Sequence, residues 1–271
     1  MIGRILIFAI AIAAYTNATA GEIVVFRYHA PGALLGAGES GVTDRKVHLP
    51  DLTFPVEFDA TKHIVVLNSQ MYNPGGACHW GTCRYDDGKE GNRCAQSNYD
   101  YPWRDTFCEK AGRTYATAGC PDNRGHQGLD IRMPSILKGP KDKQCKSGSW
   151  YAVAAVDAQI AAVTGAVVRL VDSNGRTYIY RHLDPKSLTH LHDRSSVNRG
   201  DRIGVISGYD NPGRALYTPP HLHLEITKPT ERSAYVPSYS SMIVAYRKRL
   251  GIPILPDAQG NLPSDDAREL K

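Results

Sequence analysis

Alternation of apolar and polar side chains between residues 125 and 228 predicts a run of β-strands. The predicted strands, rich in Val, Ile and Tyr, are Trp150–Val156, Gln159–Thr164, Ala166–Val171, Thr177–His182, Arg202–Ser207 and Leu222–Thr227. Asn174-Gly175 lies between two of them and indicates a tight hairpin, because both residues tolerate positive φ. Since no helical pattern separates the hairpins, an antiparallel sheet and a mainly β fold are expected.

The regions on either side have different patterns. Residues 21–71 contain short apolar runs, Glu22–Tyr28 and Ile64–Leu67, and predict an N-terminal β region. Residues 72–122 lose this periodicity and are interpreted as a long loop region. After a core at 123–230, residues 231–271 predict one helix, from Ser240 to Leu250, followed by a polar tail.

Residues 1–20 have the pattern of a signal peptide. Arg4 supplies a positive charge, an apolar run extends from Ile5 to Ala14, and Ala18-Thr19-Ala20 provides small residues for cleavage. The alternative is a membrane anchor, but a run of about ten residues is half of the roughly twenty needed to span a bilayer. The expected mature protein has no integral membrane segment and is periplasmic or secreted.

The cysteine content agrees with an oxidising compartment. The chain contains six cysteines: Cys78, Cys83, Cys94, Cys108, Cys120 and Cys145. An even number in an exported chain predicts up to three disulfides, whose pairing the sequence leaves open. None of them has the Cys-x-x-Cys spacing of a zinc knuckle, so all six are interpreted as structural and the loop region as tied by disulfides.

Net charge excludes one class of partner. The chain carries +5, and Arg4 is the only charged residue among the first twenty, so the mature chain carries one positive charge fewer, +4. This mild excess suits anionic surroundings. It is too weak to indicate nucleic-acid binding, and no stripe of Lys and Arg interleaved with aromatic residues accompanies it.

Three histidine-containing segments lie within the β region and are candidates for chemistry. They are GHQGLDI at 125–131, YIYRHL at 178–183 and PHLHLEI at 220–226. Strand alternation places His221 and His223 on one face, with Glu225, and the leucines on the other. The same rule puts His182 on the face of Tyr178 and Tyr180.

Two imidazoles and one carboxylate are a sufficient ligand set for a catalytic zinc ion with one open position. In an extended chain His126 and Asp130 share a face, and Gly128 leaves room for a bend between them. The remaining histidines could then act on a zinc-bound water and on the developing oxyanion. Glu225 could support a histidine ligand or form a salt bridge across the sheet.

The order and spacing of these motifs resemble those of the lysostaphin-type (LytM-like) zinc metalloendopeptidases, over about residues 126–226. The resemblance implies a two-sheet antiparallel β fold with a narrow metal-containing groove. It implies zinc ligands His126, Asp130 and His223, and a catalytic pair His182 and His221. It also implies hydrolysis of peptide bonds in stem peptides or cross-links of bacterial peptidoglycan, through a zinc-bound water. Separately from the resemblance, the protein is expected to be a monomer.

Two features depart from the simplest members of that family. The six-cysteine region is not part of the common pattern, and no appended wall-binding module is visible in the sequence.

Two alternative functions stay open on the same fold: a non-enzymatic wall-binding or amidase-activator protein, and a secreted toxin-like or predatory hydrolase acting on other bacteria. Residues 21–71 could be a pro-segment, with Asn68 or Asn73 blocking the site. His190-Leu191-His192 is interpreted as a surface loop.

Overall fold

The structure is a computed structural model. It describes residues 27–34, 41–58, 66–67, 76–79, 82–85, 102–110, 115–133, 150–209, 221–231, 234–266 and 268–270. The signal peptide predicted at residues 1–20 and the two asparagines at 68 and 73 lie outside these ranges. Within them, no helix is long and apolar enough to cross a membrane.

Short strands, one α-helix and two 3-10 helices, Pro121–Asn123 and Pro185–Leu188, make up the regular structure of the described residues. The strands are β1 (Tyr28–His29), β2 (Val56–Glu57), β3 (Val66–Leu67), β4 (Gly76–His79), β5 (Thr82–Tyr85), β6 (Leu129–Arg132), β7 (Tyr151–Val153), β8 (Ala158–Thr164), β9 (Val167–Val171), β10 (Thr177–Arg181), β11 (Ser196–Val197), β12 (Arg202–Val205), β13 (His221–Ile226) and β14 (Glu269–Leu270). The helix α1 spans Tyr239–Arg249. The mainly β fold predicted from alternation is confirmed.

A seven-stranded antiparallel sheet carries most of the predicted strands, in the order β11-β8-β9-β10-β13-β6-β3. Strands β8, β9 and β10 form a meander, as the hairpin signals predict. The predicted turn at Asp172–Gly175 connects β9 to β10: the Asp172 amide donates to the Arg176 carbonyl, and Gly175 has φ +79°. Short turns therefore fix the register of these strands.

A second antiparallel sheet, in the order β12-β7-β2, supplies the other wall of the core. Alternate residues of both sheets are buried in one hydrophobic cluster, among them Tyr180, Leu224 and Ala152. The hydroxyl of Tyr180 accepts a hydrogen bond from the Ala155 amide, 2.9 Å away. Two antiparallel sheets over one core are the architecture that the motifs implied.

The N-terminal segment and helix α1 close one side of this core. The rings of Phe54, Phe58, Trp103 and Tyr246 pack together, with centroids 4.4 Å apart for Trp103 and Tyr246. The Leu49 amide donates to the Ser241 hydroxyl at the start of α1. Processing that separated residues 41–58 from the rest would therefore expose these rings and remove β2 from its sheet.

Three features of the fold differ from those predicted from the sequence. Strands β4 and β5 form a hairpin inside the region interpreted as a long loop. Strands β1 and β14 pair in parallel, which joins the two ends of the described chain. Helix α1 begins and ends one residue earlier than predicted, with Arg247, Lys248 and Arg249 in its last turn, where their charges favour the helix dipole.

Close packing at Gly128 brings β6 against β13. A Cβ atom at this position would lie 2.2 Å from the Leu224 carbonyl oxygen, a distance that no side chain can adopt. Because the neighbour is backbone in a central strand, it could not move aside without breaking the β6–β13 register. Glycine at 128 is thus required for the approach of the two strands that carry the candidate ligands.

Candidate metal centre

Two adjacent strands and the turn before them bring three candidate ligands together. Asp130 on β6 lies directly opposite His223 on β13, so both side chains point from the same face of the sheet. His126 lies just before β6, and its ring centroid is 4.6 Å from that of His223. All three side chains are buried, and among the described residues they form the one group with metal-ligand spacing.

The donor atoms of these residues converge closely. His126 Nε2 lies 2.8 Å from His223 Nδ1 and 3.2 Å from Asp130 Oδ1. His223 Nδ1 lies 2.9 Å from the same carboxylate oxygen. A tetrahedral zinc ion with bonds of about 2.0 Å holds its ligand atoms about 3.3 Å apart, so small side-chain rotations are enough to admit the ion.

Hydrogen bonds on the far side of each ring fix its tautomer. His126 Nδ1 is 2.8 Å from the Thr106 carbonyl oxygen, which can only accept, so this nitrogen carries the hydrogen. His223 Nε2 donates in the same way to the Glu225 carboxylate at 3.0 Å. In the neutral rings the two facing nitrogens then carry lone pairs, and a carboxylate oxygen lies beside them. Three converging lone pairs repel one another unless a cation is bound between them.

The donor types indicate which cation fits. Two imidazole nitrogens and one carboxylate oxygen are a zinc ligand set, whereas magnesium and calcium prefer oxygen alone. A set of three protein donors leaves a fourth position for solvent or substrate, as catalytic zinc sites require. His126, Asp130 and His223 therefore fit a zinc ion.

Glu225 supports His223 from behind and is itself held by Arg181. Its Oε1 atom accepts from His223 Nε2 and, at 2.5 Å, from Arg181 Nε. Burial raises the pKa of Glu225, but its bonds to His223 and Arg181 outweigh this and lower it to about 2. Both interpretations that the sequence left open for Glu225 describe real contacts: it supports a histidine and bridges β10 and β13.

Electrostatics at His223 favour a positive charge. Burial lowers the pKa of His223, but the carboxylates of Asp130 and Glu225 outweigh it and leave this pKa above its ordinary value. A proton on Nδ1 and a metal ion at Nδ1 are alternatives, because each occupies the same lone pair.

We expect Glu225→Gln to weaken zinc binding by roughly 10- to 100-fold, the usual effect of altering a hydrogen-bond partner of a metal ligand. The amide keeps the shape of the side chain but removes the negative charge that increases the basicity of His223. Titration of the metal-free protein against a chromophoric chelator measures this change. Glu57→Gln is the matched control, because Glu57 also pairs with an arginine, Arg202, but lies in the other sheet. Equal zinc affinity in both variants would contradict the role of Glu225.

A second pair of histidines lies beside the metal-ligand group. The ring centroids of His182 and His221 are 4.5 Å apart, and His182 lies 6.1 Å from His223. His182 Nδ1 donates to the Tyr209 carbonyl oxygen at 2.8 Å, so its Nε2 is the nitrogen without a hydrogen. Burial lowers the pKa of His221 to about 3, which keeps that ring neutral at neutral pH.

Strand alternation gave the wrong face for His182. Tyr178 and Tyr180 point into the core. They pair with Ile226 and Leu224, whose side chains are buried on the same face of the sheet. His182 follows the end of β10 with φ +65°, a left-handed conformation that is uncommon for histidine. This turn of the backbone releases His182 from the alternation and brings its ring beside His221. Strained backbone of this kind is concentrated at functional sites.

The other histidines with metal-like spacing lie apart from this cluster. His190 and His192 are exposed in the loop after β10, as predicted, and neither belongs to a metal-capable group of the described residues. The sequence pattern does not reveal Thr106, Arg181 and Tyr209, each of which holds a site residue by a hydrogen bond. No local signal marks them, because each acts through a contact made only in the folded chain.

Comparisons with known proteins give a partial likeness. No protein-family model and no curated protein matches the chain. Solved structures that match include the catalytic domain of the antimicrobial peptidase lysostaphin from Staphylococcus simulans, 18% identical with a TM-score of 0.31, covering 46% of this chain and 86% of that chain. They also include the deep-sea M23 metalloprotease pseudoalterin, 18% identical with a TM-score of 0.32, covering 46% and 66% respectively.

A third match is a complex of SpoIIIAH and SpoIIQ, 14% identical with a TM-score of 0.35, covering 68% of this chain and 95% of that chain. Lysostaphin gives its name to the family that the three histidine motifs resemble.

Proposed function

We propose that this protein is an exported zinc metalloendopeptidase that hydrolyses peptide bonds of bacterial peptidoglycan. One observation carries the proposal: His126 Nε2, His223 Nδ1 and Asp130 Oδ1 converge within 3.2 Å, and hydrogen bonds from behind keep both nitrogens available for a metal. The second histidine pair beside them supplies acid–base groups that a purely structural metal site does not need.

A bound zinc ion would lower the pKa of its water to about 7 and polarise the scissile carbonyl. His182 presents Nε2 without a hydrogen, because Nδ1 donates to Tyr209, and is the general base that takes the proton of the attacking water. His221 stays neutral and lies in ring contact with His182, where it orients the water or stabilises the oxyanion. Burial of His126, Asp130, His221 and His223 lowers the local dielectric constant and strengthens these electrostatic interactions.

The substrate class is supported by the sequence motifs and by the character of the chain. The three histidine segments resemble enzymes that cut stem peptides or cross-links of peptidoglycan. The signal-like residues 1–20, the Cys108–Cys120 disulfide and the mildly basic mature chain suit a protein that works in the periplasm or outside the cell, near an anionic wall. We place the catalytic core at residues 123–230 of a monomer that binds one zinc ion.

Mass spectrometry of muropeptides tests this function. Purified mature protein, loaded with one equivalent of zinc, is incubated with isolated peptidoglycan, and new free amino termini within stem peptides or cross-links are expected. The metal-free protein is the control and should release none. A zinc-loaded protein that binds the wall and releases no peptide would contradict an enzymatic role and favour the activator alternative.

A further inference from the structure

One residue in the segment before the metal centre contacts two of the three proposed ligands. The Thr106 carbonyl oxygen accepts from His126 Nδ1 at 2.8 Å. The Thr106 hydroxyl accepts from the backbone amide of Asp130 at 3.1 Å. Thr106 is 1% exposed. Its position therefore sets both the ring of His126 and the backbone that presents the Asp130 carboxylate.

Buried contacts hold Thr106 in this position from its N-terminal side. The carboxylate of Asp105 accepts from the Phe107 amide at 2.9 Å and from the Gly32 amide at 3.0 Å. These bonds stabilise the turn at 105–107 and connect it to Gly32, which is more than 70 residues away in the sequence. Thr106 is consequently presented by a turn that is itself fixed at two points.

A disulfide holds the same segment from its C-terminal side. The amide of Cys108 donates to the His126 carbonyl, and the amide of His126 donates to the Glu109 carbonyl, each at 2.9 Å. Cys108 is cross-linked to Cys120, twelve residues along the chain. The backbone around Cys108 lies so close to Gly125 that a Cβ there would be 2.4 Å from the Cys108 carbonyl oxygen.

The far side of the cross-linked loop returns to the neighbour of His126. The Thr117 hydroxyl donates to the Gly125 carbonyl at 2.7 Å, and the Gly125 amide donates to the Tyr115 carbonyl at 3.1 Å. His126 thus lies between two stretches of one loop that the disulfide joins. The disulfide is the covalent link between these stretches, so we expect the backbone around His126, and with it the ring, to be less well ordered when the disulfide is open.

We propose that Thr106 and the Cys108–Cys120 disulfide position His126 and Asp130 for the metal, so that zinc affinity in this protein depends on the cross-linked loop. The inference rests on the proposed function and adds that the cross-linked loop holds two of the zinc ligands in place. A ligand that is already ordered loses little conformational entropy when the metal binds, whereas a mobile one must be ordered at that moment. The Cys108–Cys120 disulfide, which lies in a region that departs from the common family pattern, thereby gains a specific role.

The test compares zinc dissociation constants of folded, metal-free proteins, measured by competition with a chromophoric chelator. Thr106→Val removes the hydroxyl at nearly constant volume, and Cys108→Ala/Cys120→Ala removes the cross-link. Each is expected to weaken zinc binding by roughly 10- to 100-fold, as for other partners of metal ligands. Thr106→Ser retains the acceptor and should bind zinc like the parent protein.

Asp122→Asn is the matched control in the same loop. Asp122 is exposed and pairs with Lys110 at 2.6 Å, so its loss should leave zinc affinity unchanged. The absorption spectrum of bound cobalt(II) provides a second readout, because it reports ligand geometry and should change in Thr106→Val. A purely structural role would lower the melting temperature of the metal-free protein and leave the dissociation constant unaltered.

The outcomes separate this inference from the proposed function. If the parent protein binds zinc and both variants bind it equally well, the positioning role is overturned while the zinc site stands. If the parent protein binds no zinc, the proposed function itself fails. If the double cysteine variant does not fold, Thr106→Val is sufficient to test the inference. A zinc dissociation constant of Thr106→Val equal to that of the parent protein would overturn it.

Discussion

Replacing His223 with alanine is expected to abolish stoichiometric zinc binding and peptidoglycan cleavage together. The substitution removes one of three protein donors and leaves the Glu225 carboxylate, which is buried, without one of its partners. Because a catalytic metal ion contributes several kilocalories per mole of transition-state stabilisation, turnover should fall by roughly 10³-fold or more. Metal analysis of the purified variant and the rate of muropeptide release measure the two losses.

His192→Ala is the matched control for this experiment. His192 also belongs to a His-x-His pair, but it is exposed in a loop and lies outside the metal-ligand group. The control should retain one zinc per chain and parent-like cleavage. A His223→Ala protein that kept one tightly bound zinc would show that the ligand set is different, and would remove the basis of the proposed reaction.

His182→Ala is expected to retain zinc and lose turnover. His182 is not one of the converging donors, and its ring is fixed instead by its bond to Tyr209. Loss of a general base typically costs roughly 10²- to 10⁴-fold in rate, so kcat should fall by that factor while zinc content stays at one per chain. Muropeptide release at saturating substrate, together with metal analysis, measures both quantities.

A second variant guards against a loss of folding at this strained position. His182 has φ +65°, and asparagine tolerates left-handed backbone better than alanine does. His182→Asn should therefore fold at least as well as His182→Ala and be equally impaired in turnover, because an amide is no proton acceptor near neutral pH. Parent-like rates in either folded variant would assign the general base to another group.

The strand pattern could be predicted because it is local. Each predicted strand between residues 150 and 227 overlaps an observed one, with ends that differ by up to three residues, and the turn at Asp172–Gly175 is a hairpin as expected. Alternation along β13 also predicts that His221, His223 and Glu225 share a face opposite Leu222 and Leu224. The period of two residues is a property of any extended chain, so the faces of a regular strand follow from sequence alone.

Alternation fails where the backbone leaves the extended conformation. His182 comes directly after β10, and its positive φ moves the ring away from the face of Tyr180. The hairpin of β4 and β5 was missed for a related reason: Gly- and Cys-rich segments carry little alternation, and pairing between strands can still form there. Backbone hydrogen bonds, rather than side-chain pattern, define such elements.

Strand period, turn chemistry and residue type are local properties, so the β architecture, the helix near the C-terminus and the set of residues that could serve as ligands follow from the amino-acid sequence. Which of their atoms meet depends on the packing of the folded chain. This packing selects Nε2 of His126 and Nδ1 of His223, through the Thr106 carbonyl and the Glu225 carboxylate. Such choices depend on hydrogen bonds between residues far apart in the chain, and these bonds exist only once the core has packed.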